Sequence, residues 1–130
     1  MALTLQLADL DGHPLSESYA VLDDELLAYL SGLDGFPALQ RFRELSSEEE
    51  TALGADDREA LAREAGNLAV LASRREVPPP PDWVGLEGTG DIRLGEEFGW
   101  RGLLDFLRRL EHLAHLCRTM GLEMWVLPDD

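Results

Sequence analysis

Residues 100–127 have the sequence WRGLLDFLRRLEHLAHLCRTMGLEMWVL, and this stretch decides the fold class. At 100° per residue its leucines and other apolar side chains share one broad face, which predicts an amphipathic helix from about Trp100 to Met120. Gly121 is a typical residue for ending a helix. The alternation that follows over residues 122–127 predicts a closing strand.

The first residues of the chain predict a second strand. Leu3, Leu5 and Leu7 alternate with Thr4 and Gln6, which is the pattern of a half-buried strand. The two terminal strands can lie side by side in one sheet. The sequence therefore predicts an α+β fold, in which several helices accompany a small sheet that includes the N- and C-terminal strands.

Two helices are predicted in the first third of the chain. The first begins after Asp23 as N-cap, with Asp24 and Glu25 in a first turn where the helix dipole favours carboxylates. This interpretation includes Leu22 in the apolar stripe of the helix. A second, short helix is expected to start at Pro37, because proline is well suited to a first helical position.

Two further helical segments are predicted before the tetraproline. Ser47 and Glu50 have the spacing of a capping box, which predicts a short helical turn ending near Gly54. A long helix is expected from about Asp57 to Arg75. Its many alanines indicate close packing against a neighbouring helix. The predicted apolar face consists of Leu61, Ala65, Leu68 and Ala72.

The chain is predicted to form a single compact α+β domain over residues 1–130. Four prolines begin at Pro78 and favour an extended, rigid connector. Five glycines follow in residues 82–99, which predict a long loop, so that Pro78–Gly99 is an internal connector and loop. Trp83 lies beside the prolines in this acidic loop, and we expect it to contact a partner.

The charge balance limits the partners that the protein can bind. The chain has 26 acidic residues, 11 arginines and no lysine, so its net charge is −15. Nucleic acids and anionic membranes are bound through basic clusters, so we expect neither as a direct partner. The absence of lysine also excludes a standard P-loop. A basic protein is the partner that this charge favours, although high acidity also keeps a protein soluble.

The acidity is concentrated in the first part of the chain. Residues 1–57 contain 13 acidic residues and 2 arginines, for a net charge of −11. Solubility alone does not require this segregation. The residues predicted to bind the partner are the two densest acidic runs, Asp23, Asp24 and Glu25, and Glu48, Glu49 and Glu50, together with Trp83.

The sequence predicts no catalytic residues, no metal ligands and no cofactor. His112 and His115 are spaced i,i+3 near Glu111, but this spacing matches no zinc motif and the neighbouring arginines oppose a cation. Cys117 falls on the apolar stripe of its helix, where a thiol behaves as a small hydrophobe. The absence of a nucleophile motif leads us to expect a protein that is not an enzyme.

The function predicted from these features is that of a small acidic protein-binding module. Its most concrete form is a bacterial inhibitor or immunity-type protein that engages a basic protein partner. A single cysteine and a first segment without basic residues predict a cytoplasmic location. Three alternatives remain open: a chaperone for a secreted protein, a small metal-dependent enzyme, and a structural subunit. A homodimer also remains open.

Overall fold

A computed structural model describes residues 2–45, 49–80 and 96–129. These residues form a mixed α+β fold, as the sequence predicts. The elements in chain order are β1 (Ala2–Ala8), β2 (Pro14–Leu22), α1 (Asp24–Ser31), α2 (Pro37–Gln40), α3 (Phe42–Leu45), β3 (Thr51–Leu53), α4 (Ala55–Ser73), α5 (Glu96–Met120) and β4 (Glu123–Asp129).

The strands form one antiparallel sheet in the order β2-β1-β4-β3. The N- and C-terminal strands are neighbours, with Leu5 of β1 opposite Val126 of β4. The prediction that the terminal strands share a sheet is therefore confirmed. Because β4 also pairs with β3, it lies in the interior of the sheet and joins its two halves.

One face of the sheet forms the floor of the hydrophobic core. Side chains alternate between the two faces of a strand, so register partners share a face. One face is buried against the helices, except that Thr51 and Pro128 at its margin are half-buried. The opposite face is half-buried or exposed, except for the buried Ala8. The buried set consists of Leu3, Leu5, Leu7, Ala20, Leu22, Leu53, Met124 and Val126.

Helices α4 and α5 pack against each other in antiparallel directions. The guanidinium of Arg75, two residues beyond α4, lies 4.6 Å from the ring centroid of Trp100, near the start of α5. The predicted apolar face of α4 is confirmed, since its four members are buried. They are Leu61, Ala65, Leu68 and Ala72.

Glu64 joins α4 to the short helix α2. Its carboxylate accepts hydrogen bonds from the backbone N–H groups of Ala38, at 2.9 and 3.0 Å, and of Leu39, at 3.2 Å. The N-cap residue of α2, Phe36, has no side-chain oxygen for this purpose. A carboxylate from another helix therefore satisfies the first N–H groups of α2, and this explains a buried charge in the apolar stripe of α4.

The helix starts at Asp23 and Pro37 are confirmed. The Asp23 carboxylate accepts a hydrogen bond from Leu26 N at 2.8 Å, and Pro37 is the first residue of α2. The interpretation of Leu22 as a helical residue is wrong, because it ends β2 and pairs with Leu3. The sequence analysis does not predict β2, because an irregular segment interrupts its register with β1. There the Gln6 side-chain amide donates to the carbonyls of Leu15 and Ser18.

The predicted helical turn near Glu50 is also wrong. Glu49 and Glu50 are not helical, and residues Thr51–Leu53 form β3, because pairing with the interior strand β4 satisfies their backbone groups. Helix α4 begins at Ala55, slightly before its predicted start, with Gly54 as N-cap and no side-chain capping bond.

The last helix and strand are longer than expected. Helix α5 begins at Glu96, so the end of the predicted loop is helical, and β4 continues through Pro128 to Asp129. Of the predicted connector, Pro78–Pro80 are described and are not helical, whereas residues 81–95 lie outside the described residues. The single domain over residues 1–130 stays a prediction.

Tyr29 of α1 provides a pH-dependent test of this architecture. Its hydroxyl donates a hydrogen bond to the Pro78 carbonyl at 2.6 Å, and burial raises the pKa of Tyr29 to about 12. The folded pKa exceeds the unfolded value of about 10. The neutral phenol therefore stabilises the fold fully below about pH 10, and this contribution is lost as the pH rises through about 12.

We expect Tyr29→Phe to lower the free energy of unfolding by about 1 kcal/mol at neutral pH, the usual net value of one hydrogen bond. Urea unfolding across alkaline pH should then show a smaller loss of stability in the variant than in the wild type. Burial also raises the pKa of Cys117, but that contribution is common to both proteins. Parallel alkaline curves for the two proteins would contradict the role of Tyr29.

Candidate partner-binding surface

The topology brings the described residues of the two acidic runs to the same end of the sheet. Strand β2 ends at Leu22, opposite Leu3 near the start of β1. Strand β3 begins with Thr51 opposite Val126, which itself pairs with Leu5. The end of β2 and the start of β3 therefore lie at the same end of the sheet, at its two outer corners. Three strand spacings separate these corners, about 14 Å.

We call this surface the acidic end. It consists of Asp23, Asp24 and Glu25 at the β2 corner and of Glu49 and Glu50 at the β3 corner. In the described chain, neither Glu25, Glu49 nor Glu50 forms an ion pair with a basic side chain, and all three are exposed. These carboxylates therefore face solvent without a cation to neutralise them.

The β2 corner has a structural explanation for part of its charge. Asp23 caps α1, and Asp24 and Glu25 lie in the first turn, where the positive end of the helix dipole stabilises carboxylates. The helix dipole is equivalent to about half an elementary charge, which is less than the charge of a single carboxylate. Glu25 is exposed and forms no ion pair among the described residues, so negative charge remains at this corner.

The β3 corner has no such explanation. Glu49 and Glu50 precede a strand, which has no comparable dipole, and neither residue lies in a helix. The capping that could account for these glutamates in the sequence does not occur. Their charge is thus the part of the acidic end that the fold does not need. Two of the predicted residues, Glu48 and Trp83, lie outside the described residues.

The structure also presents a surface that the sequence analysis missed, on the face of the sheet opposite the helices. We call it the open face. Register places Tyr19, Gln6, Trp125 and Ala52 in one row across all four strands, and Val21, Thr4 and Leu127 in the next. These side chains are half-buried or exposed, and Tyr19 is 42% exposed.

Trp125 is the largest side chain of the open face. Its indole Nε1–H donates a hydrogen bond to the Glu123 carboxylate at 3.1 Å, so Glu123 also belongs to this face. The bond fixes the ring beside Gln6, its register partner on β1. The alternation of β4 could have assigned Trp125 to the face opposite Met124, but only the full register shows that Tyr19 shares its row.

The two histidines of α5 lie on the helical side of the molecule. A groove of about 700 Å³ between α4 and α5 includes His112, His115, Arg58 and Arg118 in its lining. Arg118 Nη2 lies 3.3 Å from His115 Nδ1. Within the described chain, the ligand atoms of His112 and His115 do not come together with a third metal-binding group.

Cys117 also lines this groove, but its side chain is buried. Burial raises the pKa of its thiol, and the positive charge of Arg58 acts in the opposite direction. A raised pKa keeps the thiol protonated and makes it a poor nucleophile. The structural role predicted for Cys117 agrees with this environment.

A third group of polar residues lies in the hairpin between β1 and β2. Asp9, Asp11 and His13 bring their side-chain ligand atoms within 4.8 Å of one another. The Asp9 carboxylate accepts hydrogen bonds from the backbone N–H groups of His13 and Asp11, and the first of these lowers the pKa of Asp9. The cluster is therefore explained as a turn in which Asp9 binds the backbone.

Comparisons of the chain with known protein families, curated proteins and solved structures found no match. No helix within the described ranges combines the length and apolar character needed to cross a membrane.

Proposed function

We propose that this chain is a small acidic protein-binding module that engages a basic protein partner through its acidic end. The observation that carries the proposal is the charge at Glu49 and Glu50. Both are exposed, neither has a cationic partner among the described residues, and no helix start accounts for them. Such unpaired charge creates a field that attracts a cation.

The most concrete form of this proposal is a bacterial inhibitor or immunity-type protein acting in the cytoplasm. It would cover a cationic site on a toxin or nuclease, so that its carboxylates occupy positions otherwise taken by phosphates. The net charge of −15 supports this, because it repels nucleic acid while attracting proteins that bind nucleic acid.

Affinity capture with charge variants tests the proposal. Glu25, Glu49 and Glu50 are changed together to glutamine, which removes three charges without touching the capping carboxylate of Asp23. The matched control removes three exposed carboxylates from the helical side of the molecule. It is E59Q/D105N/E111Q, and it has the same net charge as E25Q/E49Q/E50Q.

We expect the immobilised wild type and the helical control to capture the same basic protein from cells of the source organism. The acidic-end variant should capture markedly less of it at moderate salt, because steering depends on where the charge lies. Circular dichroism and urea unfolding verify that all three proteins are folded. Equal capture by the three proteins, or capture of no basic protein by the wild type, would contradict the proposal.

A further inference from the structure

The open face has the composition of an interface centre. Tyr19 and Trp125 lie in the same row, two strand spacings or about 10 Å apart, with Gln6 between them. Tryptophan and tyrosine are enriched among the residues that dominate binding energy. The Trp125–Glu123 hydrogen bond already orients the indole, which reduces the entropy lost on binding.

The charges around this face indicate what kind of protein covers it. Among the described residues no arginine lies in a strand, and every charged residue of the four strands is acidic. Those residues are Glu17, Glu123 and Asp129. Glu49 and Glu50 lie at one end of the sheet, and Asp9 and Asp11 lie at the other.

This distribution disfavours a second copy of the chain as the occupant. Two molecules of net charge −15 would bring acidic rims together when their open faces met. A cationic protein surface with apolar side chains at its centre is complementary in both respects. Its apolar centre would contact Tyr19 and Trp125, and its positive charges would lie opposite the acidic residues around the open face. Juxtaposition of like charges costs several kcal/mol, whereas opposite charges favour this arrangement.

We propose that the open face is the apolar centre of the interface with a cationic protein, and that the acidic end is part of its rim. This inference rests on the proposed function and adds the contact residues and their chemistry. The partner would pack aliphatic or aromatic side chains over the row formed by Tyr19, Gln6 and Trp125. It would place arginine or lysine against Glu123 and the acidic end.

Two fluorescent arginine-rich peptides of equal length and charge are the probes that test this. One carries leucine and tryptophan between its arginines, and the other carries serine at those positions. In fluorescence anisotropy titrations at about 0.15 M salt, we expect the wild type to bind the apolar peptide about tenfold more tightly, equivalent to about 1.4 kcal/mol. Tyr19→Ser and Trp125→Ser should each reduce this preference.

Val70→Ser is the matched control, because Val70 is an exposed apolar residue on the helical side. It should keep the tenfold preference. E25Q/E49Q/E50Q should weaken the binding of both peptides by a similar factor and leave their ratio unchanged. The titrations therefore test the acidic end and the open face independently. An unchanged affinity in the charge variant contradicts the acidic end, whereas a wild-type ratio near one overturns the open face.

A measurement on the wild type alone guards against variants that misfold. Titration of the apolar peptide into ¹⁵N-labelled protein should shift the Trp125 indole resonance and the amides of Thr4 and Gln6. Shifts confined to α4 and α5 would overturn the proposal. Sedimentation velocity should show a monomer, and a dimer that Trp125→Ser dissociates would also overturn it by assigning the face to a second copy.

Discussion

Deletion of residues 122–130 is expected to abolish cooperative unfolding. Strand β4 lies between β1 and β3, so its loss separates β3 from the sheet and removes one neighbour of β1. It also removes Met124 and Val126, both fully buried, from the core. Thermal and urea unfolding followed by circular dichroism should show a broad, non-cooperative change.

Point variants of β4 provide a graded form of the same test. Met124→Ala is expected to lower the free energy of unfolding by about 2–5 kcal/mol, the usual cost of a buried methionine-to-alanine cavity. Leu127→Ala is the matched control on the half-buried open face of the strand and should cost clearly less. A truncated chain that melts like the wild type, or a larger loss at Leu127 than at Met124, would contradict the sheet order.

Glu64→Ala should have the second largest effect. The substitution leaves the backbone N–H groups of Ala38 and Leu39 without their carboxylate acceptor in a buried site. Each unsatisfied buried group costs about 1–3 kcal/mol, so the loss of both hydrogen bonds should lower the free energy of unfolding by about 2–6 kcal/mol. Urea unfolding monitored by fluorescence measures it.

Two controls separate the capping role of Glu64 from its charge. Glu64→Gln keeps one oxygen as an acceptor and should lose less stability than Glu64→Ala. Glu59→Ala, on the exposed side of the same helix, should change stability by less than about 0.5 kcal/mol. Equal, small effects at Glu59 and Glu64 would show that the carboxylate of Glu64 does not cap α2.

The sequence predicts the fold well where a periodic pattern of apolar residues extends over a whole strand or helix. In β1, Leu3, Leu5 and Leu7 alternate over most of the strand, and in α5 the apolar stripe extends over several helical turns. Patterns of this length are recognisable even where single residues interrupt them. The N-cap at Asp23 is equally clear, because capping is a local interaction.

The elements that escaped prediction depend on distant partners. Strand β3 has only three residues and exists because β4 pairs with it, and the preceding glutamates resemble a helix start. In β2 the irregular segment that Gln6 stabilises breaks the alternation. Glu64 lies in the apolar stripe of α4, which could have marked it as unusual, but its partners in α2 are 25 and 26 residues away.

The candidate site could be predicted only in part. The acidic runs could be identified because acidic residues are consecutive in the sequence. Their position at the same end of the sheet depends on the strand directions, which only the topology gives. The open face could not be recognised, because Tyr19 belongs to an unpredicted strand and is 106 positions from Trp125 in the chain.

We propose that the acidic end speeds the capture of a basic protein. Stopped-flow association with the protein captured by the wild type, measured across a salt series, tests it most directly. We expect the association rate to fall steeply as salt rises. At low salt, E25Q/E49Q/E50Q should associate about tenfold more slowly, at the lower end of electrostatic enhancement, while E59Q/D105N/E111Q stays near the wild type. An association rate that does not change with salt, or equal rates for these two variants, would show that the acidic end does not steer association.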